Sequence, residues 1–487
     1  MLELLRNEAE KGMTLNGATT YTTSGKYCTD LFFNCGAMRK SSVKCIADAV
    51  SRAFISDPVT ALRIVFYARD VRGGQGERRF FRIAINHLAK TAPEAVIRNI
   101  SYIPEFGRYD DLLALIGTPC EKAAMSLIKE QLAEDMAALS DEEKPVSLLG
   151  KWLPSVNASS ADTKRLAHKV ANALGMSNAD YRKALSALRK RIAIVENNLR
   201  TRDYTFDYAI VPSNAMMKYR KAFIVNDQER YSAYLDSVEK GEEKLNASVL
   251  YPYDIVRQCD TISNADERKY LDAAWNNLPV YGDNNANALA VVDGSGSMYC
   301  RSSSVRPIDV AVSLGIYFAE HNKGRFAGNF ITFSSRPQLV RVTGKDIYEK
   351  TQFVRTFNEV ANTDLEAVFR LLLNTAVKNG LPQEEMPERL YIISDMEFDS
   401  CCTGSSDHTL YENMERLYAE NGYKLPKIVF WNVNNWQKNV PVKYHTSGTA
   451  LVSGASPTLF SIALSDCLTP EGMMLDVICS QRYACIN

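Results

Sequence analysis

The chain has 487 residues, 46% of them hydrophobic and 23% charged, a composition ordinary for globular protein and sufficient for two or three domains with their own cores. It contains no run of about 18 apolar residues, which excludes a membrane-spanning helix, and its acidic start argues against a signal peptide. Eleven cysteines without a C-x-x-C pair, and five histidines without ligand spacing, argue against zinc and predict reduced thiols and a cytoplasmic protein.

The 57 basic and 57 acidic residues cancel, but they are unevenly distributed along the chain. Residues 151–226 hold fourteen Lys or Arg against five Asp or Glu, whereas residues 380–424 hold ten acidic residues against three basic ones. Such asymmetry indicates a polyanionic partner for the basic segment. Solvated helix faces that cancel one another are the alternative, and composition alone does not choose between them.

Apolar residues recur every three or four positions from about residue 39 to residue 278, which predicts an almost wholly helical region without strands. Pro58 after Asp57, and Ser177 before Asn178, are typical helix starts. Many short helices joined by tight turns predict a stack of helix pairs, with a compact bundle as the alternative. The predicted helices span residues 42–54, 58–69, 77–90, 93–99, 120–139, 163–174, 178–196, 215–225 and 229–241.

A polar, turn-rich linker at 279–285 separates this region from one in which apolar strands alternate with helices. That pattern predicts a mostly parallel α/β sheet covered on both faces, with its ligand site beyond the carboxyl ends of the strands. We therefore predict domains at 1–283 and 284–465, and a helical tail at 466–487 that packs on the body. The predicted strands are 288–293, 325–333, 339–342, 389–395, 427–433 and 450–452, and the predicted helices are 308–321, 348–360, 364–377, 410–421 and 457–464.

The segment Asp293-Gly294-Ser295-Gly296-Ser297-Met298 follows the first of these strands and places one carboxylate and two hydroxyls at alternate positions. A capped strand–helix turn would explain this pattern alone. However, two further oxygen groups stand at other element ends, and together they suit octahedral Mg²⁺ or Mn²⁺, with water completing the shell and room for a partner's carboxylate or phosphate oxygen. The predicted metal ligands are Asp293, Ser295, Ser297, Thr363 and Asp395.

The same segment does not predict an enzyme. A nucleophile elbow needs glycine two positions before and two positions after its serine, but Ser295 has Asp293 and Ser297 there. No histidine lies close in sequence, and the loop lacks the lysine of a phosphate-binding P-loop. We therefore expect no catalytic residues.

Residues 286–464 resemble the von Willebrand factor A domain through the Asp293, Ser295 and Ser297 pattern, and through the segment that begins at Thr363. The resemblance implies a Rossmann-like α/β domain with a metal-ion-dependent adhesion site. One departure from the family pattern is Met396, which follows Asp395 where the family usually has glycine.

Basic residues of the helical region form three groups: around the glycine-rich turn 73–76, along 182–190 and at 218–221. Guanidinium groups bind phosphate through paired hydrogen bonds, and a row of cations gives salt-dependent affinity for nucleic acid. The alternative is a solvated face, with some arginines paired to Asp70, Glu77, Asp110 or Asp111. The predicted RNA contacts are Arg69, Arg72, Arg78, Arg79, Arg182, Lys183, Arg189, Lys190, Lys218, Arg220 and Lys221.

A helical half followed by an A-type metal domain resembles the Ro autoantigen family with its TROVE module, especially Ro-like relatives that share three segments of this chain. The resemblance implies a monomeric, closed ring of HEAT-like helical repeats that binds small noncoding or misfolded RNA outside and single-stranded 3′ ends in its hole. We therefore expect a non-catalytic RNA-binding protein; the alternative is a scaffold whose Mg²⁺ captures an acidic residue of a protein partner. The shared segments are Arg69-Asp70-Val71-Arg72-Gly73-Gly74-Gln75-Gly76-Glu77-Arg78, Lys151-Trp152-Leu153-Pro154-Ser155 and Val211-Pro212-Ser213-Asn214-Ala215-Met216.

Overall fold

The computed structural model describes residues 1–281, 287–300, 305–334, 336–357, 363–400, 408–434, 439–462 and 468–487. They fold as two compact units, the first formed by residues 1–64 and 232–482 and the second by residues 65–231 and 483–487. None of the helices in these ranges is long and apolar enough to cross a membrane. The domain limits at 1–283, 284–465 and 466–487 stay a prediction, and linker residues 282–286 lie outside the described ranges.

Helices dominate the chain before residue 280, as the apolar spacing predicts. Ser42, Ser160 and Ser177 each accept a hydrogen bond from a backbone N–H three residues on, which satisfies a free donor of the first turn. The predicted helix 178–196 is in fact two helices, separated near Ala193, whose φ is +51°. The α-helices are α1 (Leu2–Ala9), α2 (Tyr27–Cys35), α3 (Val43–Ser56), α4 (Pro58–Arg69), α5 (Arg78–Thr91), α6 (Pro93–Arg98), α7 (Ile103–Phe106), α8 (Glu121–Ala138), α9 (Leu149–Trp152), α10 (Ala161–Ala173), α11 (Asn178–Arg191), α12 (Val195–Thr201), α13 (Ser213–Asn226), α14 (Gln228–Glu239), α15 (Pro252–Val256), α16 (Ala265–Asn276), α17 (Pro307–His321), α18 (Ile347–Arg355), α19 (Leu365–Asn379), α20 (Leu410–Glu420), α21 (Leu459–Ile462) and α22 (Pro470–Ile478).

A mostly parallel, six-stranded sheet follows the helical region, as predicted. Its order is β5-β4-β3-β6-β7-β8, and only β5 runs antiparallel to its neighbour. The chain winds outward from β3 through β4 to β5, then returns to the other side of β3 as β6, so the order reverses between β3 and β6. The strands are β1 (Lys11–Met13), β2 (Thr19–Tyr21), β3 (Ala288–Asp293), β4 (Asn329–Phe333), β5 (Leu339–Arg341), β6 (Arg389–Ser394), β7 (Lys427–Asn432) and β8 (Thr449–Ser453).

Helices cover both faces of this sheet because its strands are apolar on both sides. On one face, Val291 and Ile392 share a buried cluster with Phe369 of α19 and Tyr418 of α20. On the other face α17 approaches β3 closely, since a Cβ added to Gly315 would lie 2.5 Å from Val292. The carboxyl ends of the strands stay between these layers, at the edge where α/β folds bind ligands.

Some predicted limits shift in the structure. The strand predicted at 325–333 begins at Asn329, after a turn in which Gly328 has a φ of +76°. The helices predicted at 348–360 and 457–464 are observed as α18 and α21, and their predicted ends at 358–360 and 463–464 lie outside the described residues.

The amino-terminal segment forms a hairpin, β1–β2, which sequence patterning did not predict. Thr14 and Tyr21 join it to the α/β part: the Thr14 hydroxyl donates to the Phe398 carbonyl at 2.6 Å, and Tyr21 exchanges backbone hydrogen bonds of 3.0 and 2.8 Å with Val440. The hairpin therefore belongs to the same compact unit as the sheet, although more than 380 residues separate Thr14 from Phe398.

Residues 483–487 belong to the second unit, beyond the predicted tail helix, which is observed as α22. Tyr483 is buried, stacks on Phe106 at 5.6 Å between ring centroids, and donates to the Asp70 carboxylate at 2.9 Å. The Asn487 backbone N–H donates to the Asn99 side chain at 3.0 Å. These contacts make the last residues part of the core around α4 and α7.

The glycine-rich turn that follows α4 is a close-packed part of the fold. A Cβ added to Gly74 would lie 2.0 Å from the Tyr67 carbonyl oxygen and 2.9 Å from the Asp70 Cβ. Gln75 is buried and its side chain donates to the Tyr67 hydroxyl. This turn therefore packs tightly against the end of α4.

We expect Gly74→Ala to lower the free energy of unfolding by about 3 kcal/mol, because the added methyl group collides with backbone that cannot move away cheaply. Denaturant unfolding measures the loss. Gly117→Ala is the control: nothing lies within 4 Å of its Cβ, so only its left-handed backbone should cost about 1 kcal/mol. Equal effects of the two changes would contradict the packing argument.

Candidate functional site

The two predicted acidic ligands lie at the carboxyl ends of β3 and β6, the neighbouring strands between which the strand order reverses. Asp293 is the last residue of β3, and Asp395 directly follows β6. The pairing of Val292 with Ile393 fixes the register, so both carboxylates emerge at the same sheet edge. Asp293 is fully buried and Asp395 is 2% exposed.

The Asp293 carboxylate is held in one orientation by two hydrogen bonds. The Ser295 backbone N–H donates to Oδ1 at 2.9 Å, and the Ser394 hydroxyl donates to Oδ2 at 2.5 Å. Each carboxylate oxygen keeps a second lone pair for a water molecule or an ion. Ser394, which sequence reasoning did not select, is therefore a positioning residue of this site.

Ser295 and Ser297 bring their hydroxyl oxygens together, with Oγ atoms 3.0 Å apart. This distance suits a hydrogen bond, and it also equals the separation of about 3.0 Å between adjacent ligands of an octahedral Mg²⁺ whose bonds are about 2.1 Å long. Ser295 is 5% exposed and Ser297 is half-buried, while Gly296 between them is exposed. Asp293, Ser295, Ser297 and Asp395 thus form a cup of oxygen atoms that is buried at its base and exposed at its rim.

The electrostatics of the cup favour a cation. Burial and the charge of Asp395 raise the pKa of Asp293 to about 7, although the hydrogen bonds from Ser394 and Ser295 act in the opposite direction. Two buried carboxylates repel each other unless a proton or a cation lies between them. A divalent ion would remove this repulsion.

Met396 takes the backbone conformation of the glycine that the A-domain pattern leads one to expect. Its φ is +65°, in the left-handed region, and its side chain is buried. A left-handed residue with a Cβ costs about 1 kcal/mol or more, and burial of the Met396 side chain in the core offsets that cost. The loop after Asp395 therefore keeps a tight turn despite the substitution.

Thr363 lies beside this cup but in a different hydrogen-bond network. Its Oγ1 is 3.0 Å from the Glu397 carbonyl and 2.9 Å from the Asp399 carboxylate, and it accepts a hydrogen bond from the Asn16 amide at 2.7 Å. The same Asn16 amide donates to the Glu397 carbonyl. Among the described residues these contacts, not Asp293 or the two serines, hold the Thr363 hydroxyl, so its role as a metal ligand stays a prediction.

Leu15 and Asn16, at the tip of the amino-terminal hairpin, contact residues that adjoin the site. Sequence reasoning did not predict these contacts. The Leu15 backbone N–H donates to the buried Glu397 carboxylate at 2.7 Å, and Asn439 donates to the same oxygen at 3.0 Å. Met13 and Leu15 remain 66% and 61% exposed beside these anchors. No local sequence pattern predicts the contact between Leu15 and Glu397, because the two residues are 382 positions apart.

The donor set fits a small, hard divalent cation. In the ranges that the structure covers, no three His, Cys, Asp or Glu side chains are grouped to hold a metal ion. The cup instead offers two carboxylates and two adjacent hydroxyls, which is an oxygen-only set with positions left for water. Asp293, Ser295, Ser297 and Asp395 would hold such an ion.

Three of the predicted RNA-binding arginines serve the interior of the second unit. Arg69 is 2% exposed and binds Asp111 at 2.7 Å, so the predicted pairing of an arginine with Asp111 is confirmed. Arg220 is 4% exposed and donates to the Met217 carbonyl at 2.6 Å. Arg189 is half-buried and donates to the Gly150 and Leu153 carbonyls at 2.8 and 2.9 Å. We leave these three out of any RNA-binding surface, since each side chain binds acceptors inside the fold.

The other predicted cations lie on the surface of the same unit. Arg72 donates to the Glu105 carbonyl at 3.2 Å, and Lys218 donates to the Tyr219 hydroxyl at 2.7 Å. On α11, the exposed Lys183 and Lys190 are seven residues apart and therefore share a helix face. The exposed members of the predicted set are Arg72, Arg78, Arg79, Arg182, Lys183, Lys190, Lys218 and Lys221.

Comparison with known proteins places the chain in a family. The family described as "Domain of unknown function (DUF2828)" matches residues 14–127 and 122–279, more than half of the chain. The chain belongs to this family. A second description, "Domain of unknown function (DUF7788)", matches residues 287–475, which include the sheet and the cup. The chain is also similar to uncharacterised protein L728 of Acanthamoeba polyphaga mimivirus, with 28% identity over 512 residues that cover 96% of this chain and 87% of the viral protein.

We expect Asp293→Asn to raise the free energy of unfolding by about 2 kcal/mol at pH 8 without divalent cations, because it removes one of two buried like charges. Since the folded pKa of Asp293 is raised to about 7, the unfolded chain loses this proton first, and wild-type stability falls as pH rises from about 4 to about 7. The gain should therefore vanish near pH 4. Denaturant unfolding at several pH values checks this, and a variant less stable than wild type at pH 8 would contradict it.

Proposed function

We propose that the protein binds a divalent cation, Mg²⁺ or Mn²⁺, at the carboxyl ends of β3 and β6 and uses it to capture an acidic group of a partner. The single observation that carries this proposal is the buried pair Asp293 and Asp395 beside two hydroxyl oxygens 3.0 Å apart. With at most two carboxylates as ligands, the ion keeps positive charge and accepts a further carboxylate oxygen.

The strand order supports an A-type domain for this part of the chain. Numbered from β3, the order is 3-2-1-4-5-6 with the third strand antiparallel, and ligands of such folds bind where the order reverses. The Asp293-x-Ser295-x-Ser297 pattern stands at this reversal. The resemblance to the von Willebrand factor A domain therefore agrees with the topology, and the finer family assignment is part of our proposal.

A protein partner suits this site better than a nucleic acid does. The hairpin beside the cup exposes Met13 and Leu15. Exposed apolar side chains on a well-anchored turn are typical of protein-binding surfaces, and they give no electrostatic attraction to phosphates. We propose a partner segment with one acidic residue, flanked by apolar residues.

We expect millimolar Mg²⁺ or Mn²⁺ to raise the melting temperature of the full-length protein, because an ion that binds only the folded state adds about 2.7 kcal/mol at a hundredfold excess over its Kd. Asp293→Ala and Asp395→Ala should abolish the shift, and Ser295→Ala should reduce it. Calorimetric titration with each metal alone measures the affinity.

The control for this experiment is Asp346→Asn, which removes a carboxylate of the same unit that binds Arg268 and caps α18. This variant should be less stable but should keep the full metal-dependent shift. Absence of any shift in the wild type, or an equal shift in Asp293→Ala, would refute the cation site.

RNA binding by the second unit is a second candidate function. This unit carries 26 Lys or Arg against 20 Asp or Glu, although the whole chain is neutral. Arg182, Lys183 and Lys190 on α11 are exposed, and none of them forms an ion pair with a described residue. These cations favour the binding of a polyanion to the exposed face of α11. The TROVE-like ring, its monomeric state, its RNA ligands and a cytoplasmic location remain part of this proposal.

We expect the triple variant Arg182→Glu, Lys183→Glu, Lys190→Glu to bind a single-stranded oligouridylate and a hairpin RNA at least about tenfold more weakly at about 50 mM salt. Its affinity should also depend less steeply on salt between about 50 and about 200 mM, because fewer counterions are released. Electrophoretic or fluorescence titration measures both effects.

The matched control reverses three exposed lysines of the same unit outside the basic segment, Lys122, Lys129 and Lys144. It changes the net charge by the same amount, so a selective loss in the α11 variant locates the surface on α11. Equal losses in both triple variants would indicate unspecific attraction, and unchanged binding in the α11 variant would refute this surface.

A further inference from the structure

Trp152, a partly exposed residue of the second unit, lies against two cationic side chains, one from its own helix and one from a distant segment. The Arg108 guanidinium carbon is 3.8 Å from the centroid of the Trp152 ring, and the Lys151 Nζ is 5.4 Å from the same centroid. Trp152 ends α9, whereas Arg108 precedes the short helical turn Tyr109–Leu115. The fold thus brings the shared segment 151–155 to a distant arginine.

The carboxylates around the stacked pair Arg108 and Trp152 do not neutralise all of the arginines nearby. Arg108 binds Asp110 through two hydrogen bonds of 3.0 and 2.9 Å, and Arg82 shares that carboxylate at 2.7 Å. Arg82 also binds Asp111 at 2.6 Å, and Asp111 in turn holds the buried Arg69 at 2.7 Å. Three guanidinium groups therefore share two carboxylates, which leaves one positive charge.

Two further cations increase this excess. Arg78 is exposed, and it is close enough to add to the burial that lowers the pKa of Arg108, while Asp110 opposes the shift. Lys151 is half-buried beside Trp152. Neither Arg78 nor Lys151 forms an ion pair with any residue that the structure describes. The stack is thus surrounded by positive charge that an anionic ligand would neutralise.

The stack is also held rigidly from behind. The Arg108 backbone N–H donates to Asp111 at 3.1 Å, and Gly107 packs so closely that a Cβ there would lie 2.5 Å from the Asp111 carboxylate. Arg189 donates to the carbonyls of Gly150 and Leu153, which flank Lys151 and Trp152. A site whose side chains are fixed in advance loses little entropy when it binds a ligand.

We propose that Arg78, Arg108, Lys151 and Trp152 form a binding site for a nucleoside phosphate. The base stacks on the Trp152–Arg108 pair, since aromatic rings and guanidinium planes both stack on bases. Arg78 and Lys151 hold the phosphate. The nucleotide is either free or part of an RNA strand. The case of an RNA strand rests on the proposed RNA-binding function, whereas the nucleotide site itself does not rest on it.

Calorimetric titration of the full-length protein at low salt with adenosine monophosphate, adenosine and inorganic phosphate tests the site. The monophosphate should bind more tightly than either of its parts, because both halves of the site then contribute. Trp152→Ala should weaken its binding about fivefold to a hundredfold, and Trp152→Phe, which keeps a ring, should weaken it less. Arg78→Ala should weaken binding of the monophosphate but not binding of adenosine.

Lys122→Ala, which removes an exposed lysine elsewhere in the unit, is the control and should leave binding unchanged. The proposal is overturned if the wild type fails to bind adenosine monophosphate, or if Trp152→Ala and Arg78→Ala bind it as tightly as the wild type does. Competition with oligouridylate shows whether the natural ligand is a free nucleotide or part of an RNA strand. If oligouridylate displaces adenosine monophosphate, the site binds a nucleotide of an RNA strand. If it does not, the site binds a free nucleotide. Retained monophosphate binding in the α11 triple variant separates this site from the α11 surface.

Discussion

The α/β part of the protein depends on one constraint: two carboxylates are buried side by side at the ends of adjacent parallel strands. Asp293 and Asp395 occupy this position because β3 and β6 are neighbours between which the strand order reverses. Burial makes each charge costly, and proximity raises the cost further. The serine hydroxyls and backbone N–H groups around Asp293 orient the carboxylate but do not neutralise it, so a cation is the natural complement of this geometry.

The surroundings of that pair are arranged to keep the loops fixed. Met396 holds a left-handed turn directly after Asp395, and the amino-terminal hairpin binds the following residues through Thr14 and Asn16. A metal site needs a rigid outer layer, because small shifts of a ligand weaken the ion's coordination. The hairpin supplies such a layer beside the proposed cation site, and its exposed apolar side chains Met13 and Leu15 belong to the protein-binding surface that we propose.

The second unit uses its cations in two ways. Arg69, Arg189 and Arg220 are structural, since each satisfies carboxylates or carbonyls of the interior. Guanidinium groups that bind acceptors of the interior are not available to a ligand at the surface. Other cations lie at the surface, and among them those on the face of α11 and those around Trp152 carry our two proposals for an anionic ligand. The local charge excess, and not the number of arginines, therefore indicates where an anion would bind.

Much of this architecture could be predicted from local patterns alone. Apolar spacing gave the helices before residue 280 and the alternation of strands and helices after it, because both patterns reflect burial of neighbouring residues. The Asp293-x-Ser295-x-Ser297 turn could also be found from the sequence, because its three oxygen groups lie within five residues of one another. The predicted helix limit near Ala193 and the predicted start of β4 were wrong, since the turns there depend on single backbone angles.

The sequence by itself determined which residue types were present at the strand ends and how the chain was divided into helical and α/β regions. Only the tertiary structure decided which of them meet. Asn16 reaches Thr363, and Arg108 reaches Trp152, through contacts between residues far apart in the chain. Likewise, charge along the sequence did not distinguish Arg69, which is buried against Asp111, from the exposed Arg78. The physical reason is that burial and pairing depend on long-range packing, which no local spacing of residues encodes.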